Sequence, residues 1–324
     1  MSSPPVIEEK LRMHARNRHR AGYDFASLVT AHPGLKKYVR LNPLGVSTID
    51  FANPAAVKAL NQALLMSCYG VAHWDIPAEF LCPPIPGRVD YLHYLADLLA
   101  TSAHEKQAAV RVLDIGTGAN LVYPLLGQYE YGWQFVGVDA NPAALTNAQR
   151  IIEANPGLEQ RISLRQQRDA HAIFDGIIKA GDQFSFSMCN PPFHASLQEA
   201  QAGAKRKWSG LARSAGQQSQ SRNHAQAKHH QQPRLNFGGQ AAELYCDGGE
   251  VGFITRMVAE SARYPSQCLW FTTLVSKAES LSAVKRALKQ VPVRSVEVIE
   301  MAQGQKQSRI LAWSFVEKAG RRAK

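Results

Sequence analysis

The stretch that most limits what this chain can fold into runs from Val110 to Leu126. Val110, Val112 and Leu113 make a short apolar strand, Asp114-Ile115-Gly116-Thr117-Gly118 breaks it with two glycines, and Leu121, Val122, Leu125 and Leu126 return at helical spacing. A strand, a glycine turn and a helix in that order open an α/β sheet whose ligand site lies beyond the carboxyl ends of its strands. The glycines let the backbone approach a ligand closely, and free N–H groups at the turn are expected to meet a polar or anionic group. A dinucleotide-binding fingerprint needs glycine or alanine three residues after the second glycine, and Leu121 stands there. Pro124 in the following helix argues against that fingerprint as well.

The same unit then repeats. Gln134 to Val138 reads as a second strand ending in Asp139, about twenty residues past the glycine turn, where an acidic side chain accepts from ribose hydroxyls. Asn141 and Pro142 open a helix with Leu145, Ala148, Ile151 and Ile152 facing inward, stopped by Asn155-Pro156-Gly157. Arg161 to Arg165 offers a third strand. The turn after it, near Gln167 to Asp169, is where a base-facing polar residue belongs, though Asp169 reads equally well as a plain loop carboxylate. Beyond Gly248-Gly249, a helix carries Val251, Ile254, Met257 and Val258, a strand runs from Cys268 to Val275, and another helix carries Leu281, Val284 and Leu288. Val293 to Ile299 and Arg309 to Phe315 form a closing pair of strands joined by a turn at Gly304 to Ser308.

Phe184 to Cys189 is a run too short for a helix, and it leads straight into Asn190-Pro191-Pro192-Phe193. Asn190 then sits at the carboxyl end of a buried strand. Its side-chain oxygen and the Pro191 carbonyl are two acceptors suited to one planar NH2 group. The paired prolines fix φ and carry no N–H to compete for those acceptors. Phe193 supplies a flat face on which a base stacks, worth about 1 to 3 kcal/mol in single-strand binders. Immediately before the glycine turn, Asp114 suits a methyl donor better than a dinucleotide, since a carboxylate there holds the donor's amino group.

The chain has 324 residues, enough for one α/β domain with an added module, and its net charge of +11 favours a polyanionic partner, nucleic acid first. Five scattered cysteines with no C-x-x-C pair and no histidine at ligand spacing read as reduced and structural, so no metal is expected. Neither a signal sequence nor a membrane-length apolar run is present, which predicts a cytoplasmic protein without a membrane partner. A monomer is the separate expectation. Residues 1–22 read as a flexible basic arm, with Arg16, Arg18 and Arg20 placed for RNA phosphates, or else as a frayed terminus basic by chance. Residues 23–105 read as a helical N-terminal RNA-binding module. Asn53 caps a helix opened by Pro54, and a second helix with Tyr91, Leu95, Leu98 and Leu99 follows the breakers Pro83, Pro84, Pro86 and Gly87, with Arg88 at its mouth. Residues 106–318 make the main domain. Its insertion at 197–242 holds Lys205, Arg206 and Lys207 and is expected to be mobile, a lid over RNA or a solvated loop; 319–324 is a basic tail.

The tetrapeptide Asn190-Pro191-Pro192-Phe193 looks like the fourth motif of amino-methyltransferases that use S-adenosylmethionine. Asp50-Phe51-Ala52-Asn53-Pro54, Trp74-Asp75-Ile76-Pro77, Cys82-Pro83-Pro84, Leu235-Asn236-Phe237-Gly238-Gly239 and Met301-Ala302-Gln303-Gly304-Gln305-Lys306-Gln307-Ser308 are more specific. With them the chain resembles the large-subunit ribosomal RNA adenine-N6 methyltransferases of bacteria and, more distantly, the U6 small nuclear RNA adenine-N6 methyltransferase of animals. The resemblance implies a class I S-adenosylmethionine-dependent methyltransferase fold, Rossmann-like, with a mostly parallel seven-stranded sheet and an antiparallel last strand. It implies methylation of adenine 1618 in 23S ribosomal RNA, free or in a large-subunit assembly intermediate. It implies that Arg88, Asp114, Gly116, Gly118, Asp139, Asp169 and Asn190 hold S-adenosylmethionine, Arg88 as partner of the donor's carboxylate, and that Asn190, Pro191, Pro192 and Phe193 carry the chemistry. A ribosomal RNA guanine-N2 methyltransferase is the alternative, because the same motif followed by His194 occurs in enzymes of that type. The insertion after Phe193 departs from the family in length and composition.

Overall fold

Seven strands form one sheet in the order β5-β4-β3-β6-β7-β9-β8. They are β3 (Arg111–Ile115), β4 (Gln134–Asp139), β5 (Ile162–Gln166), β6 (Phe184–Cys189), β7 (Cys268–Val275), β8 (Ser295–Gln303) and β9 (Lys306–Ser314). A separate two-stranded hairpin pairs β1 (Arg40–Leu41) with β2 (Ser47–Thr48). The computed structural model describes residues 13–102, 109–192, 246–303 and 306–316. Phe193, Lys205, Arg206, Lys207, the 197–242 insertion and the 319–324 tail therefore lie outside the described residues.

Strands β3 to β7 pair in parallel, and only β9 is reversed, antiparallel to both β7 and β8. The expected antiparallel last strand is β9, while β8 runs with the parallel strands, and parallel neighbours need a long crossover where antiparallel ones do not. The chain moves outward through β3, β4 and β5, then returns to place β6 on the other side of β3, with Ile115 opposite Cys189. That reversal is the switch point where open α/β sheets bind ligands. All six residues of β6 are buried, as a central parallel strand covered on both faces requires.

Helices α1 (Phe25–Ala31), α2 (Pro54–Tyr69) and α3 (Ile85–Thr101) precede the sheet, and α4 (Val122–Tyr131), α5 (Pro142–Glu153), α6 (Gly249–Ser261) and α7 (Ala278–Leu288) lie within it. Asn53 caps α2 by accepting from Ala55 and Ala56 N–H, with Pro54 at the first helical position. Asn141 does the same for α5 through Ala143 N–H. The buried face of α5 holds Ala144, Asn147, Ala148, Ile151 and Ile152, while Leu145 is only half-buried. Leu60, Leu64, Leu65, Tyr91, Leu92 and Leu95 of α2 and α3 share one continuous core with Val112, Phe186 and Trp270 of the sheet. A second core on the other side gathers Phe174, Ile254, Met257, Phe271 and Trp313.

From His14 on, the expected loose arm is docked. Asn17, only 3% exposed, donates to the Pro86 carbonyl and to Asp90, and His19 meets the Tyr69 hydroxyl at 2.7 Å. Arg16 pairs with Asp97 at 2.7 Å, and Arg18 lies between the rings of Tyr69 and Tyr129 with Glu130 at 2.8 Å. The carboxylates that fix these arginines are far away in sequence, so local charge counting made the arm look unpartnered. Arg20 is exposed and bonds only weakly to the Ala15 carbonyl at 3.4 Å.

Asn155, which the sequence marked as a helix stop, holds the segment before α3 against the sheet domain. Its Oδ1 accepts from Ala72 and His73 N–H at 2.7 and 3.1 Å, and its Nδ2 donates to the His73 and Ile151 carbonyls at 2.7 Å each. Beside it, Asn147 Nδ2 bridges the Asp75 and Ala119 carbonyls, and Trp74 Nε1 donates to the Asn120 carbonyl. Removing Asn155's amide breaks four hydrogen bonds at once and leaves the buried Ile151 carbonyl short of a partner, at about 1 to 3 kcal/mol for a lost buried partner. Asn155→Ala is expected to lower unfolding stability by about 3 kcal/mol in urea titrations, against less than about 0.5 kcal/mol for the exposed Gln149→Ala. Equal stabilities would remove Asn155 from its docking role.

Candidate active site

A cleft of about 390 Å³ opens at the carboxyl ends of β3, β4 and β6, within the size range of small-molecule sites. Arg88, Gly116, Gly118, Asp139, Asp169, Asn190 and Pro192 all line it, although they come from separate elements. Asp114 and Pro191 are buried and do not reach its surface.

At the glycine turn, Gly116 and Gly118 take left-handed φ values of 73° and 67°. A Cβ on Gly116 would meet no protein atom within 4 Å, so the bare backbone leaves space at the cleft wall. Free N–H groups were expected here, but the turn uses them itself. Gly116 and Thr117 N–H both donate to the Val138 carbonyl, and Gly118 N–H donates to Asp139 Oδ2, each at 2.9 Å. The turn is therefore tied to the end of β4, and side chains supply the recognition.

Asp114 is the most unusual of these side chains. Neither of its carboxylate oxygens makes a hydrogen bond, and Thr117 Oγ1 is likewise unpartnered and buried. Burial pushes the Asp114 pKa up to about 7, with the Thr117 hydroxyl and Arg88 drawing it down and Asp139 pushing it up. Arg88, in the first turn of α3, donates from Nη1 to the Tyr123 hydroxyl of α4 at 2.8 Å, and its buried Nε has no partner. The Tyr123 hydroxyl is pushed up to about 12, chiefly by burial, and so stays neutral. A guanidinium on the cleft wall and an unpartnered acid buried behind it suit a ligand that carries an ammonium and a carboxylate together.

Asp139 closes β4 with Oδ1 accepting from Asn141 N–H and Oδ2 from Gly118 N–H, both at 2.9 Å. Each oxygen keeps a lone pair for a hydroxyl, and burial raises its pKa. Asp169 serves its own loop in part, because its Oδ1 accepts from His171 N–H at 2.8 Å while Gln167 Oε1 accepts from Asp169 N–H. The following wall, Ala170 to Ile173, leads into a clamp from α6, where the Glu260 carboxylate accepts from the N–H groups of Ile173, Phe174 and Asp175. Tyr264 and Arg263 hold Asp175 at 2.6 and 2.5 Å.

Across the cleft, Asn190 Oδ1 is buried without a partner. The strand behind it is braced by a relay in which Tyr91 of α3 meets Thr272 Oγ1 at 2.8 Å and Thr272 donates to the Ser187 carbonyl at 2.9 Å. Cys246, Asp247, Phe253 and Arg256, from α6 and its lead-in, complete the lining. Sequence reading missed Tyr123, His171, Phe253 and Arg256, while Gln167 falls in the turn it had marked for a base-facing polar residue. Phe253 and Arg256 sit three apart on the less buried side of an amphipathic helix, a pattern indistinguishable from a solvated face.

The family model described as RNA methyltransferase matches residues 7–317. The chain is 57% identical, over 100% of its own length and 97% of the relative's, to the ribosomal RNA large subunit methyltransferase F of Methylobacillus flagellatus. Among solved structures, the catalytic domain of human METTL16 in complex with the MAT2A 3'UTR hairpin 6 has a TM-score of 0.76 at 30% identity, with 95% of this chain and 99% of that one covered. The N-terminal domain of human METTL16 in complex with SAH has a TM-score of 0.71 at 28% identity, covering 94% and 99%. A match that spans nearly the whole chain, and a relative identical at more than half of its positions, show that this protein belongs to the RNA methyltransferase family.

Proposed function

We propose that the chain methylates the exocyclic N6 of one adenine in 23S ribosomal RNA, adenine 1618 by resemblance, with S-adenosylmethionine as methyl donor. The observation that carries this reading is the buried, unpartnered Asn190 Oδ1, an acceptor lacking a donor, in the cleft that Arg88 also lines, with the unpartnered Asp114 carboxylate buried behind its wall. Buried polar atoms are rarely left unpaired, and an orphan acceptor at a cleft points to a ligand N–H. The donor's groups fit the residues present: Asp114 for its ammonium, Arg88 for its carboxylate, Asp139 for its ribose hydroxyls, the Asp169 loop for its base, with Gly116 and Gly118 leaving room for it.

When bound, the donor supplies a methyl group already activated on a sulfonium. No side-chain base is then needed before attack. The adenine amino nitrogen is a poor nucleophile because its lone pair is spread into the ring. Asn190 Oδ1 and the Pro191 carbonyl, by accepting its two N–H bonds, raise electron density on the nitrogen and fix its direction, and the proton leaves afterwards. Pro191 and Pro192 hold the acceptors stiffly, and Phe193 stacks on the extruded base. Phosphate contacts fall to Arg20 and to Lys205, Arg206 and Lys207. Arg16 and Arg18 instead take part by holding the N-terminal segment in place. The protein acts as a cytoplasmic monomer on free ribosomal RNA or a large-subunit assembly intermediate.

Two measurements test this. Asn190→Ala is expected to lower kcat for methyl transfer at least about 100-fold, roughly 3 kcal/mol of barrier, while calorimetric donor affinity changes less than about tenfold. Nucleoside analysis should find the label in N6-methyladenosine; label in N2-methylguanosine alone would overturn the proposal. The second measurement is pH dependence of donor binding. Free enzyme holds Asp114 protonated below about pH 7, and an ammonium requires the carboxylate, so acid opposes binding. Donor affinity should rise about tenfold per pH unit up to about 7 and then level, with a proton released on binding, and Asp114→Asn should bind weakly without that slope. The same slope in the variant would remove Asp114 from the donor site.

A further inference from the structure

Six large hydrophobic side chains stand exposed among the described residues, and four of them fall within residues 41–51: Leu41 at 68%, Leu44 at 86%, Val46 at 58% and Phe51 at 47%. Such a concentration on one surface element marks an interaction site. The element is the β1–β2 hairpin, whose turn is fastened by one side chain. Asn42 Oδ1 accepts from Leu44 and Val46 N–H, Asn42 N–H donates to the Val46 carbonyl, and Gly45 N–H to the Asn42 carbonyl, each at 2.9 Å. Gly45 takes φ +75° to close the loop, and Ile49, 2% exposed, roots the hairpin in the core. Leu44 is thus held outward at the apex of a stiff projection.

The charge around this projection decides its partner. Lys36, Lys37 and Arg40 are exposed at its base, with Asp50 3.6 Å from Arg40. Protein-binding patches are depleted of lysine at their centre, whereas cations flanking apolar side chains are what a nucleic acid meets. The hairpin is joined to the cleft through α2, into which it runs directly and whose Asn61 donates to the carbonyl of Pro83, a residue that lines the cleft.

We propose that the β1–β2 hairpin is an RNA wedge: Leu44 and Val46 enter an opened base step next to the target nucleotide, while Lys36, Lys37 and Arg40 hold the flanking phosphates. Apolar side chains inserted between bases unstack them, and a base must leave its stack to reach a buried catalytic group. The wedge rests on the chain acting on RNA and not on which base it methylates.

The test uses the full-length protein and a ribosomal RNA fragment around the methylated position, with 2-aminopurine beside the target base. Leu44→Ala with Val46→Ala is expected to weaken fragment binding about tenfold, abolish most of the fluorescence rise at saturation, and leave the salt dependence and calorimetric donor affinity unchanged. Lys36→Ala, Lys37→Ala and Arg40→Ala together should keep the fluorescence rise at saturation and flatten the slope of log affinity against log salt by about two units. Leu44→Met should restore binding. Wild-type binding and fluorescence in the double variant would overturn the wedge. So would a loss confined to ribosomal particles with free RNA methylated normally, which would make the hairpin a protein-docking surface. If the unaltered protein methylates no ribosomal RNA but still binds the fragment with a fluorescence rise that the double variant loses, the function proposed above falls and the wedge stands.

Discussion

Parallel pairing of β3 with β6 puts Ile115 opposite Cys189, and everything chemical in this protein follows from that adjacency. The two strands end at the same sheet edge, so Asp114 and the glycine turn emerge beside Asn190 although about 75 residues separate them in sequence. Neither strand end is polar by accident. Asp114 and Asn190 each keep buried oxygens with no partner in the chain, a cost that folding bears only if a ligand satisfies it later. Burial of both strands makes the edge rigid, and the relay from Tyr91 through Thr272 to Ser187 stiffens the strand that carries Asn190.

Much of this framework was legible in the residues. The apolar runs of β3, β4, β6 and β7 are bounded by glycine, proline and acidic residues that mark their ends, and each strand falls within a residue or so of its expected limits. The cleft wall was legible for the same reason, since Gly116, Gly118 and Asp139 sit at strand ends where position alone brings them to the sheet edge, with Asp114 buried just behind. The cleft lining from α6 was not legible, because Phe253 and Arg256 acquire meaning only when that helix is folded against the sheet. The turn's N–H groups were misjudged for a related reason: their acceptors belong to β4, a different strand.

The N-terminal segment shows how a charge pattern misleads when its partners are remote. Arg16 and Arg18 are separated by one residue, yet one is tied to α3 and the other to α4, through Asp97 and Glu130. Exposed ion pairs of this kind contribute little individually. Here the buried Asn17 and His19 between and beside them supply the directional bonds that fix the segment. Together with Asn155 and Trp74, these contacts hold the N-terminal helices against the sheet domain, and through them Arg88 reaches the cleft.

Leu121 is the only non-glycine residue with positive φ among those described, at 52°, and it is fully buried. A left-handed leucine carries roughly 1 to 2 kcal/mol of backbone strain, which glycine would relieve. Glycine would also delete a packed side chain whose loss costs about 2 to 5 kcal/mol, so the leucine is retained on balance. Glycine at this position would complete the spacing of a nucleotide-cofactor loop. Packing against the N-terminal helices thus acts as a barrier to divergence: a single substitution toward redox-cofactor binding would loosen the core before it gained anything.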